Sequence, residues 1–139
     1  MFEVEVRNVH GAVTAIGAAG PFTVVIDRPQ ATGGGGRGFN GGELMHLAVA
    51  GCVSNDLFRE AAARGVALTR VVVTAGGDFD GDPPTSSGVT YDVEVAGAAS
   101  DDALQDLVRL VDEIAEIPNS LRGGTPVRLG AVTVRGTTT

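Results

Sequence analysis

The chain has 139 residues, 43% of them apolar and 19% charged, a balance that is ordinary for one globular domain spanning residues 1–139. Its formal net charge of −7 disfavours a nucleic-acid partner, because phosphate backbones bind basic surfaces. A single cysteine excludes an intrachain disulfide and no apolar run approaches the length of a bilayer span, so we expect a cytoplasmic protein that does not enter membranes.

The first forty residues predict a three-stranded antiparallel meander followed by a loop. Apolar and polar side chains alternate over residues 2–6, which is the period of a half-buried strand. Two further strands are predicted over residues 12–18 and 22–27, with turns at 8–11 and 20–21 between them. Residues 28–38 are rich in glycine and predict a flexible loop.

Neither a cofactor motif nor a metal motif is complete. The glycine-rich loop contains the spacing GxGxxG at Gly33, Gly35 and Gly38. A dinucleotide site also needs an acidic residue at the end of a second strand about 20 residues on, and here that distance falls within a predicted helix. The only histidines, His10 and His46, have no metal-ligand neighbour in the sequence. We therefore predict no organic cofactor and no metal site.

The stretch NGGELMHLAVAGCVSNDLFREAAARG, residues 40–65, predicts a long central helix over residues 41–64. Asn40 and Glu43 have the spacing of a capping box, and Gly65 stands where a left-handed residue commonly ends a helix. Nearly every residue from 44 to 53 is apolar or small. A helix that is apolar on all sides must be buried on all sides, which favours a partner chain around this segment.

The second half of the chain predicts two strands, a helix and a last strand. The strands are expected over residues 66–76 and 89–95, with a polar loop or hairpin tip over 78–88. Ser100 can cap a second helix over residues 101–116, which Pro118 is expected to stop. A last strand is predicted over residues 125–135. The order βββ-α-ββ-α-β indicates an α+β fold.

Cys52 lies where the apolar and the amphipathic parts of the central helix meet. A lone cysteine in an apolar helix can be an inert, small hydrophobic residue. Asn55, Asp56 and Arg59 follow it at i+3, i+4 and i+7, however, and place polar groups on the same helix face. The residues alone leave both the inert and the reactive interpretation open.

Three stretches resemble the OsmC/Ohr family of osmotically inducible and organic hydroperoxide resistance proteins. They are GGELMHLAVAGCVSNDLFREAAARG around Cys52, VALTRVVVTAGGDF after the central helix, and EIAEIPNSLRGGTPV nearer the C-terminus. The resemblance implies an OsmC-like α+β fold in an intertwined homodimer, with the two central helices packed together inside two wrapped sheets. It also implies thiol peroxidase chemistry without a metal or an organic cofactor.

The same resemblance assigns roles to individual residues. Cys52 matches the family's peroxidatic cysteine, whose thiolate attacks the peroxide and becomes a sulfenic acid. Glu43 matches the glutamate that orients an arginine beside the thiol, although it is equally well explained as a capping-box residue. The arginine has no motif match, and among Arg7, Arg28 and Arg37 we choose Arg37, six residues before Glu43.

Ile117 stands where family members with the full catalytic cycle have a second cysteine, just before a proline, here Pro118. A sulfenic acid on Cys52 would therefore need an external thiol as its reductant. The sequence thus predicts a single-cysteine redox protein that reduces organic hydroperoxides. The alternative is a non-enzymatic OsmC-like protein that binds a small apolar ligand in a pocket at the dimer interface.

Overall fold

The computed structural model describes residues 1–125, 128, 130 and 131, and within them the chain forms two antiparallel sheets and three α-helices. In chain order the elements are β1 (Glu5–Asn8), β2 (Ala15–Ala19), β3 (Phe22–Ile26), α1 (Gly41–Ala63), β4 (Leu68–Asp80), β5 (Thr85–Gly97), α2 (Asp101–Ile114) and α3 (Glu116–Arg122). This order confirms the predicted α+β class through α2. Most of the last predicted strand, over residues 125–135, lies outside the described residues.

The N-terminal sheet has the order β1-β2-β3, with both pairs antiparallel as predicted. β1 begins at Glu5 and not at residue 2, because Glu5 pairs with Ala18 and β2 ends one residue later. Residues before Val4 would lie beyond the end of β2 and have no strand to pair with there, and Phe2 is fully exposed. Several large apolar side chains of this sheet are also exposed: Val6, Ile16, Phe22 and Val25.

The glycine-rich loop is ordered around a buried carboxylate, so its prediction as a flexible loop was wrong. Asp27, only 4% exposed, accepts hydrogen bonds from the backbone N–H groups of Arg28, Gly35 and Arg37 and from the hydroxyl of Thr14, at 2.7–3.2 Å. The backbone N–H groups of Gly35 and Arg28 stabilise the charged form most, and the pKa of Asp27 falls to about 2. The loop therefore returns the chain to the start of α1 along a fixed path.

Helix α1 begins at Gly41 as predicted and ends at Ala63, one residue before the predicted end. Asn40 accepts a hydrogen bond from the Glu43 N–H through its side chain, and Glu43 accepts one from the Asn40 N–H, both at 2.9 Å. Gly65 follows the helix with φ of 67°. One face of α1 is buried in the core, through Val49, Val53, Leu57 and Ala61. The opposite face is not covered by its own chain, and Leu47 remains 51% exposed.

The core lies between α1, α2 and the long β4–β5 hairpin. Leu107, Val111 and Ala115 pack on the buried face of α1, and strand residues such as Val71 and Val93 complete the cluster. The two strands extend further than predicted, since their ladder continues through Asp78–Gly88 and leaves only residues 81–84 as the turn. No helix of the described chain has the length and hydropathy that crossing a bilayer requires.

The prediction that Pro118 stops the second helix was wrong. α2 ends at Ile114, where Ala115 turns to an extended ψ of 122°, and Pro118 lies buried in the first turn of α3. Proline is tolerated there because the first N–H groups of a helix have no intrahelical acceptor to lose. Asn119 donates a hydrogen bond to the carbonyl of Glu113, which folds α3 back and brings its first residue, Glu116, over α1.

Candidate functional site: the Cys52 cluster

The thiol of Cys52 lies against two carboxylates that come from different helices. Its Sγ is 3.8 Å from Oε2 of Glu116 on α3 and 4.0 Å from Oδ2 of Asp56, one turn further along α1. At these distances the S–H can donate a weak hydrogen bond to either oxygen. Cys52 is half-buried, so the thiol is in contact with both the polar cluster and solvent. It is therefore not enclosed in a uniformly apolar core.

Arg59 supplies the positive charge of this cluster, but it bonds to the carboxylates and not to the sulfur. Its Nη1 is 2.8 Å from Oδ1 of Asp56 and 3.9 Å from Oε1 of Glu116, and its Nε is 3.2 Å from Oε1 of Glu60. Glu60 is shared with Arg64 at 2.7 Å. We name the group of Cys52, Asp56, Arg59 and Glu116 the Cys52 cluster.

Asp56 is the buried member of the cluster, with only 4% of its surface exposed. Loss of solvent raises the pKa of its carboxyl group, Arg59 opposes this effect, and the nearby charges of Glu116 and Glu60 add to it. A buried carboxylate that is paired with one arginine keeps its position, since movement of either side chain would break the ion pair and leave a buried charge unpaired. Asp56 therefore holds a defined position next to the thiol.

The structure does not bring the three predicted site residues together within one chain. Glu43 and Cys52 are nine residues apart on α1, which places them on opposite sides of the helix and about 13.5 Å apart along its axis. Glu43 is occupied in the capping box. Arg37 lies exposed in the glycine-rich loop, where its backbone N–H donates to Asp27 at 3.2 Å. Among the described contacts, neither Glu43 nor Arg37 bonds to the Cys52 cluster.

Asp56 and Arg59 were predicted to lie on the helix face of Cys52 without a role in the reaction, and Glu116 was not predicted as a site residue. For Arg59 a signal existed, because its i+7 position relative to Cys52 places it on the same helix face. Glu116 lies 64 residues from Cys52, and only the break between α2 and α3 brings it to the thiol. The position after it, Ile117, is the one that the resemblance aligns with a second cysteine.

An apolar cavity of about 330 Å³ lies near the Cys52 cluster, although none of the four residues of the cluster lines it. Its walls come from α1, β5 and α3: Met45, Val49, Ser86, Gly88, Val89, Tyr91, Pro118, Leu121 and Arg122. Val49 precedes Cys52 by three residues, and Pro118 follows Glu116 by two. The polar groups of Tyr91 and Arg122 at its wall already have hydrogen-bond partners, since the hydroxyl of Tyr91 donates to Asp112, which also binds Arg122.

A second cavity, of about 560 Å³, lies on another side of α1, between the helix and β4. It is lined by Glu43 and His46 together with the exposed apolar side chains Phe39, Leu47 and Phe79. The Nδ1 of His46 is 2.6 Å from the carbonyl of Gly42, so this nitrogen carries the proton and donates. The other nitrogen, Nε2, is buried and has no hydrogen-bond partner among the described residues.

The Cys52 cluster is also the one place in the described chain where three metal-ligating groups meet. The sulfur of Cys52 and one oxygen each of Asp56 and Glu116 lie within 4.8 Å of one another. Arg59 already bonds to Asp56 there, so a guanidinium provides the charge that a cation would otherwise supply. The cluster is therefore interpreted as an ion-pair network around a thiol.

The comparisons with known proteins agree with this architecture. The family model described as OsmC-like protein matches residues 33–130, which include all of α1, β4, β5, α2 and α3. Among proteins with curated descriptions, none matches the sequence. The solved structures that resemble the chain share its fold at low sequence identity.

Three of these structures illustrate the likeness. An OsmC like protein from Mycoplasma pneumoniae is 15% identical, with a TM-score of 0.76 over 90% of this chain and 89% of that chain. The organic hydroperoxide resistance protein OhrB of Bacillus subtilis is 19% identical, with a TM-score of 0.63 over 89% and 92%. A putative organic hydroperoxide resistance protein from Vibrio cholerae, with captopril bound in one of its active sites, is 21% identical, with a TM-score of 0.60 over 89% and 85%.

Proposed function

The chain belongs to the family of OsmC-like proteins, and on this premise we propose that it reduces organic hydroperoxides with Cys52 as the reacting thiol. The observation that carries the proposal is the position of Cys52, half-buried in a polar cluster and three residues along α1 from Val49, which lines an apolar cavity. A thiol with only a packing role would be surrounded by apolar groups. Two of the similar structures described above are named as organic hydroperoxide resistance proteins, which supports the same reaction.

The proposed reaction needs no metal or organic cofactor. The sulfur of Cys52 attacks one oxygen of the hydroperoxide, the O–O bond breaks, and the products are a sulfenic acid on Cys52 and the alcohol of the substrate. One external thiol then displaces the hydroxyl as water and forms a mixed disulfide. A second external thiol releases Cys52 as the free thiol. Ile117 cannot take the place of the first of these thiols, because its side chain has no sulfur.

The apolar cavity of about 330 Å³ is the proposed site for the organic part of the substrate. Cavities of this size and apolar character are typical of small-molecule sites. Captopril, an organic molecule, occupies an active site of the Vibrio cholerae relative, so a related fold admits a ligand of that size. We therefore expect organic hydroperoxides to react faster than hydrogen peroxide, which gains nothing from apolar walls.

We further propose that the protein acts as a homodimer. One chain leaves large apolar side chains exposed on the N-terminal sheet and on α1, such as Phe22, Val25 and Leu47. Large apolar side chains exposed together on one sheet and on one helix face are typical of an interface. Because Glu43 and Arg37 do not bond to the Cys52 cluster of their own chain, any role for them in the reaction would require the second copy.

Mass spectrometry of Cys52 after a brief challenge tests the proposed function. Wild-type protein should give a sulfenic acid, trapped with dimedone, at lower concentrations of cumene hydroperoxide than of hydrogen peroxide. The Cys52→Ser variant should give no adduct and should leave cumene hydroperoxide unreduced in the presence of dithiothreitol. A wild-type thiol that stays reduced in the folded protein would contradict the peroxidase function.

The cavity itself supports one alternative, a non-enzymatic protein that binds a small apolar ligand. In that case Cys52→Ser would bind the ligand as well as the wild type does, because the thiol does not line the cavity. Titration of both proteins with an apolar fluorescent probe shows whether the cavity binds a ligand, and the reactivity of the wild-type thiol distinguishes the two functions. Equal binding together with an unreactive thiol would favour the binding protein.

A further inference from the structure

The carboxylates of the Cys52 cluster bear on a problem that a single-cysteine peroxidase must solve. Without a second cysteine, the sulfenic acid stays on Cys52 until an external thiol arrives. During that time a second hydroperoxide can oxidise it to a sulfinic acid, which thiols do not reverse. The anionic sulfenate, with its negative charge on sulfur and oxygen, is the form that attacks the second hydroperoxide. The neutral sulfenic acid is the form that an external thiol attacks.

The sulfur of Cys52 faces the negative side of its cluster. Its described hydrogen-bond partners are the carboxylate oxygens of Glu116 and Asp56, at 3.8 and 4.0 Å, while Arg59 bonds to these carboxylates and has no described contact with the sulfur. A hydroxyl added to the sulfur would point a donor at two acceptors. A sulfenate in the same place would instead put a third negative charge beside two others.

We propose that Asp56 and Glu116 keep the sulfenic acid of Cys52 protonated by accepting its hydrogen bond, and so protect it from a second hydroperoxide. This inference rests on the proposed function. In the protected step the sulfenic acid reacts with a thiol, its hydroxyl leaves as water, and a disulfide forms. In the suppressed step the sulfenate takes an oxygen atom from the hydroperoxide and becomes a sulfinate, and the hydroperoxide becomes an alcohol. Asp56 and Glu116 act directly on the reacting group, while Arg59 positions them.

The charged groups around the thiol are few, so the effect can be assigned to named residues. Helix α1 contributes Asp56, Arg59 and Glu60, and α3 contributes Glu116. Asp112 on α2 binds Tyr91 of β5 and Arg122 of α3, and none of these three has a described contact with the thiol. Glu116 is the better residue to change, because its side chain is 69% exposed and its loss leaves no buried charge unpaired. Asp56 is buried, and its replacement would also leave the guanidinium of Arg59 without its closest partner.

The test compares wild type with Glu116→Gln and with a matched control, Glu113→Gln. The side chain of Glu113 makes no described hydrogen bond or ion pair, so this variant removes the same charge near the same helix junction without touching the thiol. The sulfenic acid is generated without any hydroperoxide, by alkaline hydrolysis of the mixed disulfide between Cys52 and thionitrobenzoate. The rate of sulfinic acid formation with added hydrogen peroxide is then followed by mass spectrometry between pH 5 and pH 9.

Glu116→Gln should form sulfinic acid about fivefold faster than wild type on the acid side of the profile, the effect of one unit charge about 4 Å away in a water-like dielectric. The midpoint of its rate–pH profile should move to lower pH, and the two proteins should converge at high pH, where both sulfenic acids are ionised. Glu113→Gln should match wild type. Superimposable profiles for Glu116→Gln and wild type would overturn the proposal. Since no hydroperoxide makes the sulfenic acid, failure of the peroxidase function would appear separately, in the challenge with cumene hydroperoxide.

Discussion

Leu47 offers a direct test of the proposed dimer, because it lies on the face of α1 that a single chain leaves uncovered. The side chain is 51% exposed and borders the larger cavity together with Phe39 and Phe79. Full burial of a leucine side chain stabilises by about 1.5–3 kcal/mol, so covering the exposed half contributes about 1 kcal/mol per chain. A symmetric dimer contains the contact twice, which makes about 2 kcal/mol or about thirtyfold in the dissociation constant.

Leu47→Asp should therefore weaken the dimer at least thirtyfold, and more where the new carboxylate is desolvated. Sedimentation equilibrium measures the dissociation constant, and circular dichroism checks that the helices persist. Ala63→Asp is the control, since it adds the same charge at an exposed position of the same helix, about 160° around the axis from Leu47. A Leu47→Asp protein that dimerises as tightly as Ala63→Asp would refute the reasoning. So would a wild-type chain that is a stable, folded monomer at micromolar concentration.

The other predictions concern the core, the second-cysteine position and the loop. Leu57→Ala, at a fully buried position in the core, should lower the free energy of unfolding by about 2–5 kcal/mol in urea titrations. Ile117→Cys should form a disulfide with Cys52 after peroxide treatment if the two Cα atoms come within about 4.4–6.8 Å. A mass spectrum that shows an oxidised Cys52 without this disulfide would show that the alignment at 117 is wrong. Because folding lowers the pKa of Asp27 from 3.8 to about 2, its carboxylate stabilises the fold above pH 4, and this contribution should disappear as the pH falls from 4 to 2. Asp27→Asn should remove that part of the pH dependence of thermal unfolding. The variant should also be less stable than wild type at neutral pH.

The sequence by itself determined the features that depend on neighbouring residues. The capping box of Asn40 and Glu43 forms because donors and acceptors three residues apart meet at any helix start. Gly65 adopts the left-handed conformation that only glycine takes without steric cost. The apolar spacing along α2 likewise specified which face meets the core, through Leu107 and Val111. In each case the decisive interaction lies within one or two helical turns.

The tertiary structure decided the features that depend on segments far apart in the chain. Pro118 was expected to end a helix, but the packing of α3 against α2 places it in the first turn of α3. The missing N–H of proline costs no intrahelical hydrogen bond there. The glycine-rich loop was predicted to be flexible, because no local pattern shows that the Asp27 carboxylate accepts hydrogen bonds from backbone N–H groups eight and ten residues away. Glu116 reaches Cys52 across 64 residues for the same reason. Periodicity fixes which face of a helix is buried, whereas the charges that meet across two helices depend on how the helices pack.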